Sequence, residues 1–159
     1  MELVLKRAEV ADAALLAEMR LEMRRERETA TCRLAEEEFY RRNLEFFRTN
    51  LADGSFISYI AWAGDNAAAC SGLSLQVHPP TYGNPSGRHG YITNMYTRPE
   101  WRKRGIAKLL VDKLVEAAKA AGCAQIFLNA SPMGRPLYIR YGFKPVEGEM
   151  SLTLGGDMK

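Results

Sequence analysis

Three features of the 159-residue sequence predict an α/β (α+β) fold, one mixed sheet of about seven strands flanked by about four helices. The first is a strand, turn, helix and strand in succession over residues 90–129. The second is a pair of aromatic and β-branched runs, 56–63 and 67–77, around the turn Gly64-Asp65-Asn66. The third is two long helical patterns ahead of them. A helix between two strands makes those strands parallel neighbours through a right-handed crossover, whereas the hairpin is antiparallel, so the sheet is mixed.

Composition places the chain among ordinary globular domains. Hydrophobic residues make up 47% and charged residues 26%, which leaves no case for disorder, and the length suits a single domain spanning 1–159. A net charge of +3 is too small to imply nucleic acid, and bases and acids interleave except over 98–108. Cys32, Cys70 and Cys123 contain no Cys-x-x-Cys pair, so a disulfide framework is not expected. The first residues lack a signal-peptide core, and no apolar run reaches the ~18 residues of a membrane span. The expectation is a reduced, cytoplasmic protein. His78 and His89 have no third ligand at a useful spacing, so no metal is expected.

In order, residues 3–7 read as a short alternating strand. Residues 11–28 read as a helix, with Asp12 in its first turn and Leu15, Met19 and Met23 on one face. A break over 29–33 precedes a second helix, 35–50, with Phe39, Phe46 and Phe47 as apolar bulk, stopped by Ala52-Asp53-Gly54. The hairpin follows. Residues 78–89, with Pro79, Pro80, Pro85, Gly83 and Gly87, form a long loop, and long loops often touch substrate; Tyr82 and Arg88 are its candidate contacts. The fourth strand is 90–97. The third helix starts at Lys103 or Arg104 and runs to Ala121, where Gly122 forms a left-handed cap. Residues 125–129 are the fifth strand, a short helix ends at Tyr141 before Gly142, and two last strands fall near 144–146 and 149–154.

The turn 102–107, Arg-Lys-Arg-Gly-Ile-Ala, delivers backbone amides to a helix start. The first-turn N–H groups have no intrahelical acceptor and the macrodipole adds positive charge, so the end suits an anion. Gly105 removes a side chain where a phosphate approaches, and Arg102, Lys103, Arg104 and Lys108 surround that point. Four cations there oppose the dipole, a poor arrangement without an anion. The spacing suits a diphosphate. Neither Gly-x-Gly-x-x-Gly nor a P-loop is present.

The run Asn94-Met95-Tyr96-Thr97-Arg98-Pro99, then Arg102-x-x-Gly105-x-Ala107, then Leu137-Tyr138-x-x-x-Gly142-Phe143 resembles the GCN5-related N-acetyltransferase (GNAT) family. The resemblance is close over 90–143. It implies splayed fourth and fifth strands with acetyl-CoA in the opening. The diphosphate would lie on Arg102, Lys103, Arg104, Gly105, Ile106, Ala107 and Lys108, and the pantetheine arm along Met95, Tyr96 and Thr97. Asn129 would bond that arm, and Tyr141 joins the coenzyme contacts. The implied catalytic groups are the Met95 N–H, for the oxyanion, and the Tyr138 hydroxyl, which protonates the leaving thiolate. On spacing alone Tyr138 reads as a packed aromatic.

The resemblance thus implies an acetyl-CoA-dependent N-acetyltransferase acting on a primary amine, small molecule or peptide N-terminus, by direct attack in a ternary complex. Asn94 stands where many relatives carry an acid, and an amide cannot take the amine's proton, which points to a water chain. Glu149 and Glu28 are the alternative bases. No membrane or nucleic-acid partner is expected, and a homodimer is left open. A non-catalytic acyl-CoA-binding module and a nucleic-acid-binding domain are the rival readings.

Overall fold

The computed structural model describes residues 2–27 and 34–154. The expected break at 29–33, with Glu28 and Cys32, lies outside them. The chain divides into two compact units, Met1–Asn129 and Ala130–Lys159.

Among the described residues the first unit holds six strands and three α-helices. Strand β1 (Leu3–Arg7) leads through a 3-10 turn, whose Asp12 carboxylate accepts the Glu9 N–H at 2.8 Å, into helix α1 (Ala13–Arg27). Helix α2 (Glu36–Asp53) carries Glu36, Glu37 and Glu38 in its first turn, where the dipole favours acids, and ends on Gly54 in the left-handed region at φ 79°. The expected strand 56–63 is divided into β2 (Phe56–Ile57) and β3 (Tyr59–Ala63). The cause is Ser58, which is buried: its hydroxyl donates to the Ser71 carbonyl at 2.6 Å and its own carbonyl accepts the Ala8 N–H at 2.8 Å. Strands β4 (Asn66–Val77) and β5 (Arg88–Thr97), helix α3 (Ile106–Ala120) and strand β6 (Gln125–Leu128) complete the unit.

The sheet order is β1-β3-β4-β5-β6, with β2 paired to β4. All pairings are antiparallel except β5 with β6, the parallel crossover that carries α3. The sheet is mixed, as the sequence predicts. Its two faces are covered by different helices. Leu16, Met19 and Met23 of α1 and Phe47 of α2 pack with Phe56, Ile60, Cys70 and Tyr96 on one face. Ile106 and Leu110 of α3 pack with Ala61, Ala69 and Met95 on the other.

In the second unit, helix α4 (Arg135–Tyr141) ends on Gly142 at φ 117°. Residues 144–154 form no strand, so the sheet has six strands among the described residues against the predicted seven or so. Pro145 removes a ladder donor, Gly148 adopts φ 94°, and Val146, Met150, Leu152 and Leu154 are exposed, so nothing in this segment fixes a pairing partner.

Candidate active site

Two strands that pair for only part of their length create the opening. The parallel ladder runs from His89↔Gln125 to Ile92↔Leu128 and stops where β6 ends. Strand β5 continues through residues 93–97. Its register against β4 slips between Cys70 and Gly72, leaving Asn94 and Met95 opposite Ser71. Asn94 takes φ 55° at this bulge, a left-handed conformation that asparagine tolerates better than most residues.

The bulge is pinned from the α1 side. Asn94 is buried; its Nδ2 lies 3.8 Å from Cys70 Sγ, and the Cys70 thiol donates to its carbonyl at 3.5 Å. Arg20 of α1 donates Nη1 to Asn94 Oδ1 at 3.4 Å. Beyond the bulge, the Arg98 N–H bonds the Ala68 carbonyl of β4 at 2.9 Å. Backbone groups alternate in direction along a strand, so the N–H groups of Met95 and Thr97 point the other way, to the edge that β6 has left.

At the far end of β5 a 3-10 turn, Pro99–Trp101, leads to the glycine turn. Gly105 is the N-cap of α3 at φ 76°, and a Cβ built on it would meet no atom within 4 Å. Its need for glycine in this structure is therefore conformational, and the space in front of it is open. Lys103 is also left-handed, at φ 61°. The first amides of α3 face this space without intrahelical acceptors.

The turn's cations behave differently from one another. Arg102 donates Nε to the Thr97 carbonyl at 2.9 Å and Nη2 to Glu26 at 2.5 Å. Arg104 stacks over Trp101, 4.9 Å from its centroid, and bonds the Glu100 carbonyl at 3.1 Å. Lys108 pairs with Asp112 at 3.0 Å. Lys103 is exposed, and Ala107 is half-buried. Ile106 is buried in the core under α3, so it offers the turn its amide only. Tyr96 likewise turns its ring into the α1 face and donates its hydroxyl to Glu26 at 2.6 Å.

Sequence reasoning missed this seam between α1 and the end of β5. Glu22 holds Arg98 through two bonds, 2.8 and 3.0 Å, while Glu26 holds both Tyr96 and Arg102. Burial by itself would raise the Glu26 pKa, but the hydrogen bonds from Tyr96 and Arg102 outweigh it and hold the carboxyl below its ordinary range. Burial and the bond to Glu26 push the Tyr96 phenol up. The signal was present as Glu22 and Glu26, one turn apart on the helix read over 11–28.

Asn129 is exposed just past the end of β6. In the second unit Tyr138 is buried with its ring edge-on to Phe143 at 5.7 Å, and Tyr141 meets the same ring at 5.9 Å. Glu149 is exposed, and Glu28 lies outside the described residues.

The 78–89 loop is more ordered than its composition suggests, and its Tyr82 is fully exposed. His78 and Gly87 close it at 2.8 Å, and Arg88, which belongs to β5, donates Nη1 to the Ala121 carbonyl at 3.0 Å. It therefore sits at the start of β5, six residues and on the order of 20 Å before Asn94.

The comparisons with known proteins agree with this geometry. The acetyltransferase (GNAT) family profile matches residues 17–143, and the chain belongs to that family of acyltransferases. Among solved structures, a predicted acetyltransferase from Clostridium acetobutylicum, crystallised with acetyl-CoA, is 31% identical with a TM-score of 0.86, covering 96% of each chain. A GCN5-related N-acetyltransferase from Ralstonia eutropha is 29% identical at a TM-score of 0.85, with 98% of this chain and 100% of that one covered. A glucosamine 6-phosphate N-acetyltransferase of Trypanosoma brucei brucei is 32% identical over 65 residues, 41% of this chain and 44% of its own length. The chain thus spans about half or less of the curated relatives it matches. No helix among the described residues is long and apolar enough to cross a membrane.

Proposed function

We propose that the protein transfers the acetyl group of acetyl-CoA to a primary amine, of a small molecule or a peptide N-terminus, by direct attack in a ternary complex. The observation that carries this reading is the free edge of β5 over 93–97, ending at a glycine turn that opens α3. The turn's amides, from Lys103 to Lys108, hold the diphosphate, with Lys103 as the exposed cation beside them. Arg102 and Arg104 support the turn from behind, because their guanidinium groups already meet Glu26, Thr97, Trp101 and Glu100. The N–H groups of Met95 and Thr97 hold the arm of the coenzyme, with Asn129 and Tyr141 as further contacts.

The amine nitrogen attacks the thioester carbonyl carbon, and the carbonyl oxygen takes up negative charge. The Met95 N–H, fixed by the bulge, stabilises that charge. The C–S bond then breaks, the thiolate takes the Tyr138 hydroxyl proton, and the proton lost by the ammonium nitrogen leaves through water, from which Tyr138 is reprotonated. Asn94 is a poor base, being a neutral amide buried against Cys70 and Arg20. Direct transfer is supported by the state of Cys70: burial pushes its thiol up to about 12, so at neutral pH it is not the thiolate an acyl-enzyme needs.

The test combines two measurements on one preparation. Tyr138→Phe keeps the ring and deletes the hydroxyl, so amine-dependent coenzyme A release should fall roughly 10- to 1000-fold with acetyl-CoA affinity little changed. Wild-type turnover in that variant removes Tyr138 from the chemistry. Intact-protein mass spectrometry after mixing with acetyl-CoA alone should show no stoichiometric acetyl adduct on a cysteine. Acetyl-CoA binding without turnover on any amine would favour a binding module instead.

A further inference from the structure

The bulge that carries the Met95 amide is built from buried polar groups on both sides of β4. Neither Asn94 nor Met95 has a register partner in β4, because the ladder passes from Cys70↔Tyr96 to Gly72↔Thr93. Ser71, the β4 residue they face, gives its carbonyl and its hydroxyl to the other side. The carbonyl accepts the Ser58 hydroxyl at 2.6 Å, and the hydroxyl accepts the Tyr59 N–H at 3.1 Å and donates to the Tyr59 carbonyl at 3.0 Å. Of the serine and asparagine side chains among the described residues four are buried, and three of them, Ser58, Ser71 and Asn94, lie on this line across the sheet. Buried polar side chains need partners, and these find them in the backbones of adjacent strands or, for Asn94, in Cys70.

Cys70 closes the line on the β5 side. It is buried, its thiol donates to the Asn94 carbonyl at 3.5 Å, and its sulfur accepts from Asn94 Nδ2 at 3.8 Å. One side chain thus holds both the backbone and the amide of one residue. The amide oxygen in turn accepts Arg20 Nη1 at 3.4 Å, so Asn94 is tied to β4 and α1 at once while its backbone keeps φ 55°. The Asn94 carbonyl and the Met95 N–H belong to one planar trans peptide, in which they point in opposite directions. A bond that draws the carbonyl toward β4 therefore aims the N–H away from it. From this arrangement, and resting on the acetyl-transfer reading above, we propose that Cys70 and Asn94 are positioning residues: the thiol, by holding the Asn94 carbonyl, directs the Met95 N–H at the thioester oxygen, and the Asn94 amide holds the sulfur in place.

Kinetic and infrared measurements test this without the natural acceptor. Hydroxylamine, a small nucleophile largely uncharged at neutral pH, stands in for the amine, and acetyl-CoA isotope-labelled at its carbonyl carbon reports the polarisation of that carbonyl. Cys70→Ala deletes the thiol, and Asn94→Gly deletes the amide while tolerating the left-handed backbone. Cys70→Ser keeps a donor and an acceptor, but a hydroxyl bonds at about 2.5–3.0 Å and reaches less far. In the first two variants kcat should fall about 10- to 100-fold, a smaller loss than deleting an oxyanion donor outright, with the KM for acetyl-CoA changed less than about twofold. The carbonyl stretch of bound acetyl-CoA should rise above its wild-type frequency in both, and Cys70→Ser should recover part of each effect. Melting temperature and calorimetric coenzyme A affinity report that each variant is folded.

Wild-type kcat in folded Cys70→Ala and Asn94→Gly overturns the proposal and leaves the transferase standing. So does a fall in kcat with the bound carbonyl stretch unmoved, which would assign the loss to something other than the oxyanion donor. Cys70→Ser no better than Cys70→Ala would assign the effect to core packing and overturn it as well. Failure of the transferase reading looks different: acetyl-CoA does not bind, or it binds and the wild-type protein accelerates coenzyme A release with neither hydroxylamine nor any amine, and the proposal falls with that reading.

Discussion

The two ends of β5 are built from similar materials and finished in opposite ways. At the Arg88 end a Pro/Gly-rich loop is sewn shut: buried Asn84 donates to the Arg88 carbonyl at 3.1 Å, Ala124 donates to the same carbonyl at 3.1 Å, and the Ser86 hydroxyl reaches Gly122 at 3.3 Å. At the Thr97 end Arg98, Arg102 and Arg104 are held by partners, whereas the β5–β6 ladder stops at Ile92 and α3 starts on Gly105. Both ends carry glycine at positive φ, Gly87 at 69° and Gly105 at 76°. Loop length and composition therefore do not distinguish a site from a connection in this chain. What differs is the strand edge that continues past the β5–β6 ladder and the helix start beside it, whose first-turn amides have no intrahelical acceptor.

The sharpest way to break the comparison is to change the backbone at one end and a side chain at the other. Gly105→Val forces a β-branched residue into a left-handed conformation, a cost of about 1–3 kcal/mol. Because the added atoms meet open space, that cost should appear chiefly in the ligand-ready turn, as roughly 10- to 100-fold weaker coenzyme A binding by calorimetry. Asn84→Ala should do the reverse. It strands the Arg88 end's donors and acceptors, lowering stability by about 1–3 kcal/mol in thermal melts, with coenzyme A affinity that of the wild type. Equal loss of affinity in both variants would show that the two ends are not functionally distinct.

A smaller effect tests the seam that stiffens the open end. A double-mutant cycle of Glu26→Gln and Arg102→Met should give a coupling of about 0.5–1 kcal/mol, as expected for a partly exposed pair. The pH dependence has a definite sign. The folded Glu26 carboxyl lies below its ordinary value of 4.5, so its contribution is fully present above that value and is lost as pH falls through the folded pKa. The stability gap between wild type and Glu26→Gln should accordingly be widest near neutrality and close in acid. A gap that is constant with pH would mean that the carboxylate charge plays no part.

How much of this was legible in the sequence depends on the range of the interaction. The glycine turn, the helix behind it, both glycine caps after α3 and α4, and the parallel crossover are written in local spacing, and the structure shows all of them. The positions of Arg102 and Arg104 were legible, but their orientations were not. Each is decided by a partner, Glu26 or Trp101, and the Arg102–Glu26 pair spans 76 residues. The bulge at Asn94 was invisible for the same reason, since a register slip is a property of two strands and one sequence cannot show the other's phase. The C-terminal strands were overread from alternation alone: Met150, Leu152 and Leu154 have the period of a strand but remain exposed.

The smallest effect belongs to Lys103, and it isolates charge from backbone geometry. Lys103 already sits at φ 61°, and alanine carries the same Cβ, so Lys103→Ala leaves the left-handed cost of the turn where it was. What the variant removes is one exposed positive charge beside the amides. An exposed charge acts through water, so its loss should weaken coenzyme A binding only about two- to fivefold at low ionic strength. The difference should fade as salt rises, because the Debye length shrinks from roughly 30 Å at 0.01 M to roughly 3 Å at 1 M. The Gly105→Val deficit, being conformational, should persist at every salt concentration. Calorimetry on both variants across that range separates the two contributions. A Lys103→Ala loss as large as that of Gly105→Val, or one indifferent to salt, would assign the diphosphate to side-chain charge and overturn the primacy of the backbone amides.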